Sequence, residues 1–339
     1  MRLSIVWFLI IDSMLSEVIA LSDPVVAREE DIPAMIKLSS QVFKTDMGGC
    51  FPLLFSPENM ENMTVVREAG RPVTMVGMLP KEISVFGHRL KAGLIGAVCT
   101  HPDYRGRDYG AKALAMSEKM AIEKGISLFI ISGKRGLYSR FGAVEPDGFY
   151  KLKVLPGKAS RVREASEEDL SRIAWLYMGR SVRYFRDLSQ FRRVFATGRV
   201  MVRAAKTFIS DKAYVTVIKF RDSNYIVEHA GCESDVIEAA RGYLQLSGEK
   251  ECVLVLDGLF LSQEREKTDF EGTMKVISIE NFLDQLEGYY REVMTDGEFE
   301  AFREKASKMT PAEFTRLVLL ESNIKGSPIP LPVYGFDYI

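Results

Sequence analysis

The segment 98–111 constrains the fold of this chain more than any other, because it places an apolar strand before a basic, glycine-containing turn and an amphipathic helix. Its sequence is VCTHPDYRGRDYGA. Apolar residues then recur at helical spacing: Ala113, Leu114, Met116, Met120 and Ala121. The first N–H groups of a helix have no partner inside it, and they carry the positive end of its dipole. Together with Arg105 and Arg107 they predict an anion site over 105–111, suited to a pyrophosphate.

Two other phosphate-binding patterns do not fit this turn. A P-loop requires the spacing Gly-x-x-x-x-Gly-Lys-Ser/Thr, and a dinucleotide-binding turn requires three spaced glycines with an acidic residue about 20 positions later. The turn has neither pattern. The sequence therefore predicts a helix-start anion site outside those two nucleotide folds.

A second pattern follows one strand later. Residues 127–132 (SLFIIS) have the composition of a buried strand, and KRGLYSRFGA follows over 134–143. A short helical turn after the strand can orient the phenol of Tyr138, and Gly142 lets the backbone turn back. A phenol has an ordinary pKa of about 10, so it stays protonated at pH 7 and can act as an acid. The alternative is that Tyr138 is an ordinary core residue.

These two segments resemble motifs A and B of the GNAT acetyltransferases. Motif A has the pattern Arg/Gln-x-x-Gly-x-Gly/Ala, and the chain matches it with Arg105, Gly110 and Ala111. Asp108 stands in the place of the first glycine. An acidic side chain beside a diphosphate is tolerated where it points to solvent or caps the helix. Motif B has the pattern Tyr-x-x-x-Gly, in which Tyr138 is the matching tyrosine.

The resemblance implies an acetyl-CoA-dependent N-acetyltransferase that transfers the acetyl group directly to an amine, without a metal. Tyr138 would protonate the departing CoA sulfur. Backbone groups near Val98 and Thr100 would hold the pantetheine arm. The residues implied for acetyl-CoA binding are Val98, Thr100, Arg105, Gly106, Arg107, Asp108, Gly110 and Ala111. The acceptor is expected to be an amine of a small molecule or peptide, which the sequence does not identify.

Residues 136–142 (GLYSRFG) resemble more narrowly the Eis-type acetyltransferases, which join an active GNAT domain, a degenerate copy and a C-terminal sterol-carrier-like domain. In that family the terminal carboxylate reaches the active site, which implies that the carboxylate of Ile339 orients or deprotonates the acceptor amine. The tail PIPLPVYGFDYI over 328–339 is expected to be buried, because it is rich in large apolar and aromatic side chains. The alternative is a hydrophobic latch between domains with Ile339 exposed. Other candidate bases are Glu29, Glu68, Glu82 and His101.

Length and pattern predict an α/β (α+β) protein with two tandem mixed-sheet domains and a short, mostly helical C-terminal segment. At 339 residues the chain is too long for one core. The sequence REASEEDL over 163–170 echoes AREEDI over 27–32, which indicates an internal duplication. The second copy has acids at its helix start, Glu233 and Asp235, and no arginine or glycine for a diphosphate. That copy is therefore expected to be degenerate.

The predicted domains are a hydrophobic appendage (1–23), a catalytic GNAT domain (24–157), a degenerate GNAT-like domain (158–270) and a C-terminal sterol-carrier-like segment whose tail reaches the active site (271–339). Strands are predicted at 25–28, 63–68, 71–79, 90–100 and 127–132, then around 200–203, 213–220, 225–231 and 252–256, with an entry strand at 274–277. Helices are predicted at 29–43, 236–246, 279–293, 297–305 and 311–321, the last with Thr310 as its N-cap. A further helix follows the turn at 105–111 and is predicted to end at about residue 124.

Composition and charge indicate a cytoplasmic protein without nucleic-acid or membrane partners, and leave a homo-oligomer open. A net charge of -1 gives no broad basic field. The apolar stretch 3–11 is too short to span a bilayer, and an export signal is the alternative to a non-catalytic appendage. Reduced, buried thiols are expected at Cys50, Cys99, Cys232 and Cys252. A solvated helix face is expected for Arg180, Arg183, Arg186, Arg192 and Arg193.

Two alternatives to acetyl transfer are open at this level. A degenerate acyltransferase would bind CoA or a protein partner without turnover, which Asp108 and the missing second anion site favour. An aminoacyl- or long-chain acyltransferase is the other, because those enzymes also pair two GNAT-like domains. The position of the anion site in the first half of the chain argues against the aminoacyl-tRNA type.

Overall fold

Two mixed β-sheets covered by helices form the molecule. A computed structural model describes residues 22–259 and 265–339, so the predicted appendage lies almost wholly outside the described residues. The strands are β1 (Val25–Val26), β2 (Thr64–Glu68), β3 (Arg71–Val85), β4 (His88–Thr100), β5 (Leu128–Ile131), β6 (Phe149–Val154), β7 (Arg163–Glu164), β8 (Val182–Tyr184), β9 (Arg199–Val200), β10 (Arg203–Ile209), β11 (Tyr214–Phe220), β12 (Ser223–Ala230), β13 (Cys252–Asp257), β14 (Glu266–Lys267) and β15 (Thr273–Val276). The α-helices are α1 (Ile32–Phe43), α2 (Met47–Cys50), α3 (Tyr109–Glu123), α4 (Gly136–Arg140), α5 (Leu170–Met178), α6 (Leu188–Ala196), α7 (Glu233–Ser247), α8 (Ile279–Gln285), α9 (Glu287–Val293), α10 (Asp296–Ala306) and α11 (Pro311–Leu319).

A long antiparallel hairpin, β3–β4, is the platform of the first sheet. Its register begins at Val85↔His88. The two turn residues between them, Phe86 and Gly87, have φ values of 51° and 94°. This left-handed pair is the conformation of a type I′ turn, whose twist matches that of the strands. The helices α1 and α3 contribute to two different apolar cores, so the hairpin is covered on both faces.

A parallel crossover follows the hairpin in the first sheet, and the second sheet repeats it. In the first sheet β4 leads through α3 to β5, which runs parallel to β4. In the second sheet β12 leads through α7 to β13, which runs parallel to β12. The strand orders are β1-β2-β3-β4-β5-β15 and β14-β6-β13-β12-β11-β10-β7. The predicted pair of tandem mixed sheets is therefore confirmed.

The two sheets are interlocked by strands that cross between the sequence halves. β6 lies within the range predicted for the first domain, yet it pairs with β13 of the second sheet. In the other direction, β8 pairs with β3 and β15 pairs with β5. Three strands thus pair in a sheet other than the one that their position in the chain suggests. The domain bounds given from the sequence therefore stay a prediction.

Three element predictions need correction. The strand expected at 200–203 is a tight hairpin of β9 and β10, because Met201 at its centre has a φ of 59°. The helix expected at 279–293 is two helices that meet at the fully buried Leu286. The last helix ends at Leu319 rather than at 321. The predicted N-cap is confirmed, because the Thr310 side chain accepts from the Glu313 N–H.

Two predictions about surface residues are also wrong. Arg180, Arg183 and Arg186 do not lie on a helix, and the Arg186 side chain is only 1% exposed, because carboxylates surround it. The remaining two members, in α6, are exposed. Three of the four cysteines are buried, but Cys232 is exposed at the start of α7. Among the described residues, no helix is long and apolar enough to cross a membrane.

Candidate active site

A gap opens in the first sheet where β4 and β5 stop pairing. The last parallel pair is Ile95↔Ile131, and the Ser132 N–H donates to the Ile95 carbonyl at 2.9 Å. The next residues of β4 form a bulge, in which Ala97 has a φ of 52°. Beyond the bulge, Cys99 and Thr100 pair with β3 and, within the described part of the chain, with no other strand. One edge of β4 is therefore free next to the turn at residues 105–111.

The backbone of this free edge points into the gap. The His101 N–H donates to the Val73 carbonyl on β3 at 2.8 Å. Successive N–H groups of a strand alternate in direction, so those of Thr100 and Val98 face away from β3. The Arg105 side chain confirms the direction, because its Nε donates to the Thr100 carbonyl at 3.3 Å. The backbone N–H groups of Val98 and Thr100 therefore face the gap and can form hydrogen bonds, and their predicted role is to hold the pantetheine arm.

A row of unpaired amide N–H groups follows at the turn. No acceptor among the described residues pairs with the N–H groups of residues 106–111. The first bond into α3 is donated by Lys112 to the Asp108 carbonyl at 3.0 Å. Six consecutive free donors therefore lie at the positive end of a fifteen-residue helix, an arrangement suited to an anion.

Arginines surround these donors. A cavity of about 440 Å³ is lined by the turn and by Arg105, Arg107 and Arg140. Arg107 is held by its guanidinium lying 5.0 Å from the ring centre of Tyr104. Among the described residues that line this cavity, Asp108 carries the only carboxylate. The local charge therefore favours an anion with more than one negative charge.

The backbone at Asp108 explains why a glycine is usual there. Its φ is 55°, in the left-handed region, and that of Gly106 is 80°. Aspartate adopts this region more readily than most residues with a side chain. The Asp108 side chain is exposed and does not cap α3. It therefore points to solvent rather than capping the helix.

Tyr138 lies beside the gap, on the one-turn helix α4. Its ring packs on Gly133, where a Cβ would lie 2.9 Å from the Tyr138 Cε2 atom. Gly142 has a φ of 89°, which reverses the chain as expected. Tyr138 is 4% exposed, and burial raises the pKa of its hydroxyl to about 12, although the Arg135 guanidinium lowers it. The phenol is therefore fully protonated at neutral pH.

Cys99 is a buried thiol close to Tyr138. It lines the cavity between the turn and Tyr138. Burial raises the pKa of the Cys99 thiol to about 12, with Arg135 and Arg105 acting in the opposite direction. The nucleophile of cysteine is the thiolate. An acyl-cysteine intermediate at this residue is therefore disfavoured.

The C-terminal carboxylate reaches the same gap. Ile339 is 6% exposed and lies against Gly96, immediately before the bulge. A Cβ on Gly96 would lie 2.4 Å from an Ile339 carboxyl oxygen and 2.5 Å from the carboxyl carbon. Only a glycine therefore permits this approach. The tail is docked in the first sheet, and Ile339 is buried rather than exposed.

A continuous groove joins these parts. The cavity at the turn, of about 440 Å³, adjoins one of about 540 Å³, and that one adjoins a third of about 240 Å³. The first two share Thr100, Arg105, Gly110, Leu137 and Arg140. The second and third share Val98, Arg135 and Tyr138. Ile339 lines the third, so the turn, Tyr138 and the C-terminal residue all border one groove.

Beyond the terminal carboxylate the groove continues between the two sheets. A cavity of about 300 Å³ shares Met201 and Tyr338 with the third cavity. Its wall is rich in aromatic rings, namely Phe149, Phe220, Tyr225, Phe270, Tyr334 and Tyr338. The carboxylates of Asp269 and Glu271 also line it. Both sheets and the tail therefore shape this end of the groove.

Sequence reasoning missed Arg135 and Arg140, although both flank Tyr138 in the same basic segment.

The other candidate bases lie elsewhere. Glu82 pairs with Arg89 at 3.0 Å, and Glu68 accepts from the Tyr109 hydroxyl. None of Glu29, Glu68, Glu82 and His101 lines the groove.

The corresponding gap in the second sheet is filled by side chains. β12 and β13 pair at only two positions before they separate. There Arg180 donates to the His229 carbonyl at 3.0 Å and pairs with Asp257. Burial lowers the pKa of His229 well below 6.5, and its Nε2 donates to the Val255 carbonyl at 3.2 Å. This network lies where β12 and β13 separate, which is the position that corresponds to the open gap in the first sheet.

One family model matches the part of the chain that forms most of the first sheet. Residues 25–144 match the family model of the acetyltransferase (GNAT) domain. This range contains the free edge of β4, the amide row and Tyr138. No curated protein matches the chain significantly.

Solved structures share the fold over about three quarters of this chain. A probable N-acyltransferase from Enterococcus faecalis V583, described as a conserved protein of unknown function, aligns with a TM-score of 0.60 and 14% identity, over 78% of this chain and 75% of its own. A GCN5-related N-acetyltransferase from Kribbella flavida gives 0.56 and 12%, over 75% and 71%. Eis1 from Mycobacterium abscessus gives 0.52 and 12%, over 76% and 74%. At these identities the likeness concerns the fold.

Proposed function

We propose that the chain is an acyltransferase that transfers the acetyl group of acetyl-CoA directly to a primary amine, because residues 25–144 match the family model of the acetyltransferase (GNAT) domain. The observation that carries this proposal is the continuous groove, which joins the amide row at 106–111 to Tyr138 and to the carboxylate of Ile339. The remaining domain assignments, 158–270 as a degenerate copy and 271–339 as a C-terminal segment, are part of the same proposal.

The turn fits the diphosphate of acetyl-CoA. Each charge-assisted hydrogen bond contributes roughly 1.5–3 kcal/mol, so four or five of them anchor a diphosphate without an enclosing pocket. The donors are the free amides and the guanidinium groups of Arg105, Arg107 and Arg140. Pantetheine amide groups would pair with the free edge of β4 at Val98 and Thr100. This pairing would complete the hydrogen bonding that the sheet leaves open.

The groups at the other end of the groove fit acyl transfer. Acetyl-CoA supplies an activated thioester. The Ile339 carboxylate would accept, directly or through a water, the proton that the amine loses as its nitrogen bonds to the acyl carbon. Tyr138 would donate a hydrogen bond to the sulfur as the carbon–sulfur bond breaks. CoA then leaves as a thiolate that takes up a proton from the solvent, while the proton lost by the amine passes to the Ile339 carboxylate, so charge and protons balance.

The pKa of Tyr138 refines its role. A thiol has an ordinary pKa of about 8.5. A phenol with a pKa of about 12 holds its proton more tightly than that. The main contribution of Tyr138 is therefore a hydrogen bond that strengthens as negative charge develops on the sulfur. The high pKa of Cys99 supports direct transfer rather than a covalent enzyme intermediate.

The inter-sheet cavity could take the acceptor amine. Its aromatic rings can bind an ammonium group through their electron-rich faces, and the carboxylates of Asp269 and Glu271 add to this attraction, whereas Lys151 and Arg203 on the same wall oppose it. An amine on a small molecule or on a peptide side chain fits this description. We place the reaction in the cytoplasm, because all four cysteines are free thiols.

A non-catalytic CoA-binding protein is the second candidate, favoured by the exposed carboxylate of Asp108 at the turn. Thiol release from acetyl-CoA, measured with polyamines, aminoglycosides and lysine peptides, separates the two. Calorimetry with CoA should show binding that Arg105→Gln weakens and that the control Arg89→Gln, on the far end of β4, leaves unchanged. Binding without turnover across the panel would favour the second candidate, and no binding at all would exclude both.

A further inference from the structure

Four charged side chains are buried together where the two sheets meet the tail. They are Lys81 on β3, Arg186 after β8, Glu228 on β12 and Asp337 in the tail, and each is at most 3% exposed. We call this group the tail cluster. Two cations face two carboxylates, so the group has no net charge.

The tail cluster is closely hydrogen-bonded. Arg186 donates to both oxygens of Glu228, at 2.9 and 2.6 Å, and its Nε donates to Asp337 at 2.7 Å. Lys81 lies 3.0 Å from the other Asp337 oxygen. Glu228 also accepts from the backbone N–H of Phe336 at 2.8 Å. The tail is therefore bound through both a side chain and its backbone.

Gly335 lets the tail pass close to the Glu228 carboxylate. Gly335 has a φ of 50°, and a Cβ there would lie 2.1 Å from a Glu228 oxygen. The guanidinium of Arg186 also stacks 4.3 Å from the ring centre of Tyr177, which fixes its plane. A buried ion pair is often no more stabilising than packed apolar side chains. Its distinct contribution here is orientation.

What the cluster orients is the terminal carboxylate. Asp337 is two residues before Ile339, whose carboxyl group lies against Gly96 in the groove that contains Tyr138. Arg186 and Glu228 belong to the part of the chain that carries the degenerate copy. We infer that this part serves the reaction through Arg186, as a positioning residue that holds Asp337 and thereby fixes the Ile339 carboxylate beside the phenol. This inference rests on the proposed function.

The test is Asp337→Asn, measured in two ways on the full chain. The first readout is trimming of the C-terminus by a carboxypeptidase, followed by mass spectrometry. Release of the tail should make trimming at least tenfold faster than in the unmodified protein. The second readout is acetyl transfer, for which kcat should fall about 10²-fold while KM for acetyl-CoA stays within twofold.

A matched control is Arg163→Gln, which breaks another two-bond Arg–Asp pair, with Asp169, far from the tail. Neither readout should change in it. If Asp337→Asn does not fold, Lys81→Met/Asp337→Asn replaces it, because the double change removes one charge of each sign. A third chain, with two glycines added after Ile339, tests the coupling. If both changes act by displacing the terminal carboxylate, the chain that carries both should lose no more kcat than the more impaired of the two single variants. If Asp337 has a purely structural role, the two losses of kcat should multiply.

The outcomes are distinct. A tail that stays protected in Asp337→Asn overturns the inference, and so does a released tail with unchanged kcat. If the unmodified protein shows no turnover with any amine, the proposed function fails, and the trimming assay still decides whether the cluster anchors the tail.

Discussion

Gly96→Ala is the sharpest perturbation of the proposed site, because it adds one methyl group between β4 and the terminal carboxylate. The new Cβ would lie 2.4 Å from the carboxyl oxygen and 2.8 Å from the Cγ1 atom of Ile339. Ordinary contact begins at 3.4 Å, so the two groups must separate by about 1 Å. β4 is held by β3 on one side and by β5 on the other, and therefore the tail yields.

The expected losses of stability and of rate in Gly96→Ala can both be estimated. Overpacking by one methyl group costs about 1–3 kcal/mol of folding free energy, and releasing the Ile339 side chain entirely costs about 1.5–3 kcal/mol. The displacement is confined to the last two residues, because Asp337 is held by the tail cluster. Misplacing a reacting group by 1 Å lowers the rate about 10²-fold, which corresponds to about 2.7 kcal/mol of transition-state free energy.

The assay compares Gly96→Ala with Gly297→Ala, because a Cβ at position 297 meets no atom within 4 Å. Steady-state thiol release should give a kcat about 100-fold lower for Gly96→Ala only, with KM for acetyl-CoA nearly unchanged. Thermal unfolding reports the stability change separately. If Gly96→Ala keeps full kcat and stability, the carboxylate does not occupy this position during turnover, and its proposed role as base is wrong.

Three further predictions concern single groups. Tyr138→Phe should lower kcat roughly 10²–10⁴-fold and leave CoA affinity measured by calorimetry nearly intact, and unchanged turnover would remove Tyr138 from the mechanism. Cys99→Ala should retain turnover, and mass spectrometry should find no acetyl-enzyme, since burial raises the pKa of that thiol to about 12; a trapped acetyl-cysteine would contradict direct transfer. Burial raises the pKa of Asp337, but Arg186 and Lys81 lower it further, so the net pKa in the folded state lies below 3.8. Its stabilising contribution is therefore complete above pH 3.8 and is lost as the pH falls below that value, and acid unfolding of Asp337→Asn should lack this part of the pH dependence.

Local sequence determined the elements of the first unit. The turn over 105–111 and the following helix were predictable, because glycine and helix periodicity act over a few residues. Gly142 was predictable for the same reason. Element ends were not encoded locally: the helix expected at 279–293 is interrupted at Leu286, whose φ of -109° and ψ of 12° lie outside the helical region.

The tertiary structure decided which distant residues meet. Arg186 looked like part of a solvated arginine face, and pairing with carboxylates from β12 and the tail instead places it in the core. Neither partner lies near it in sequence, so no local pattern encodes the contact. Similarly, the motifs indicated a phenol and an anion site, but the position of Ile339 against Gly96 depends on how the tail passes between two sheets. The sequence by itself thus determined the local geometry and the family of the first domain, whereas the placement of the terminal carboxylate follows from long-range burial of charge and apolar surface.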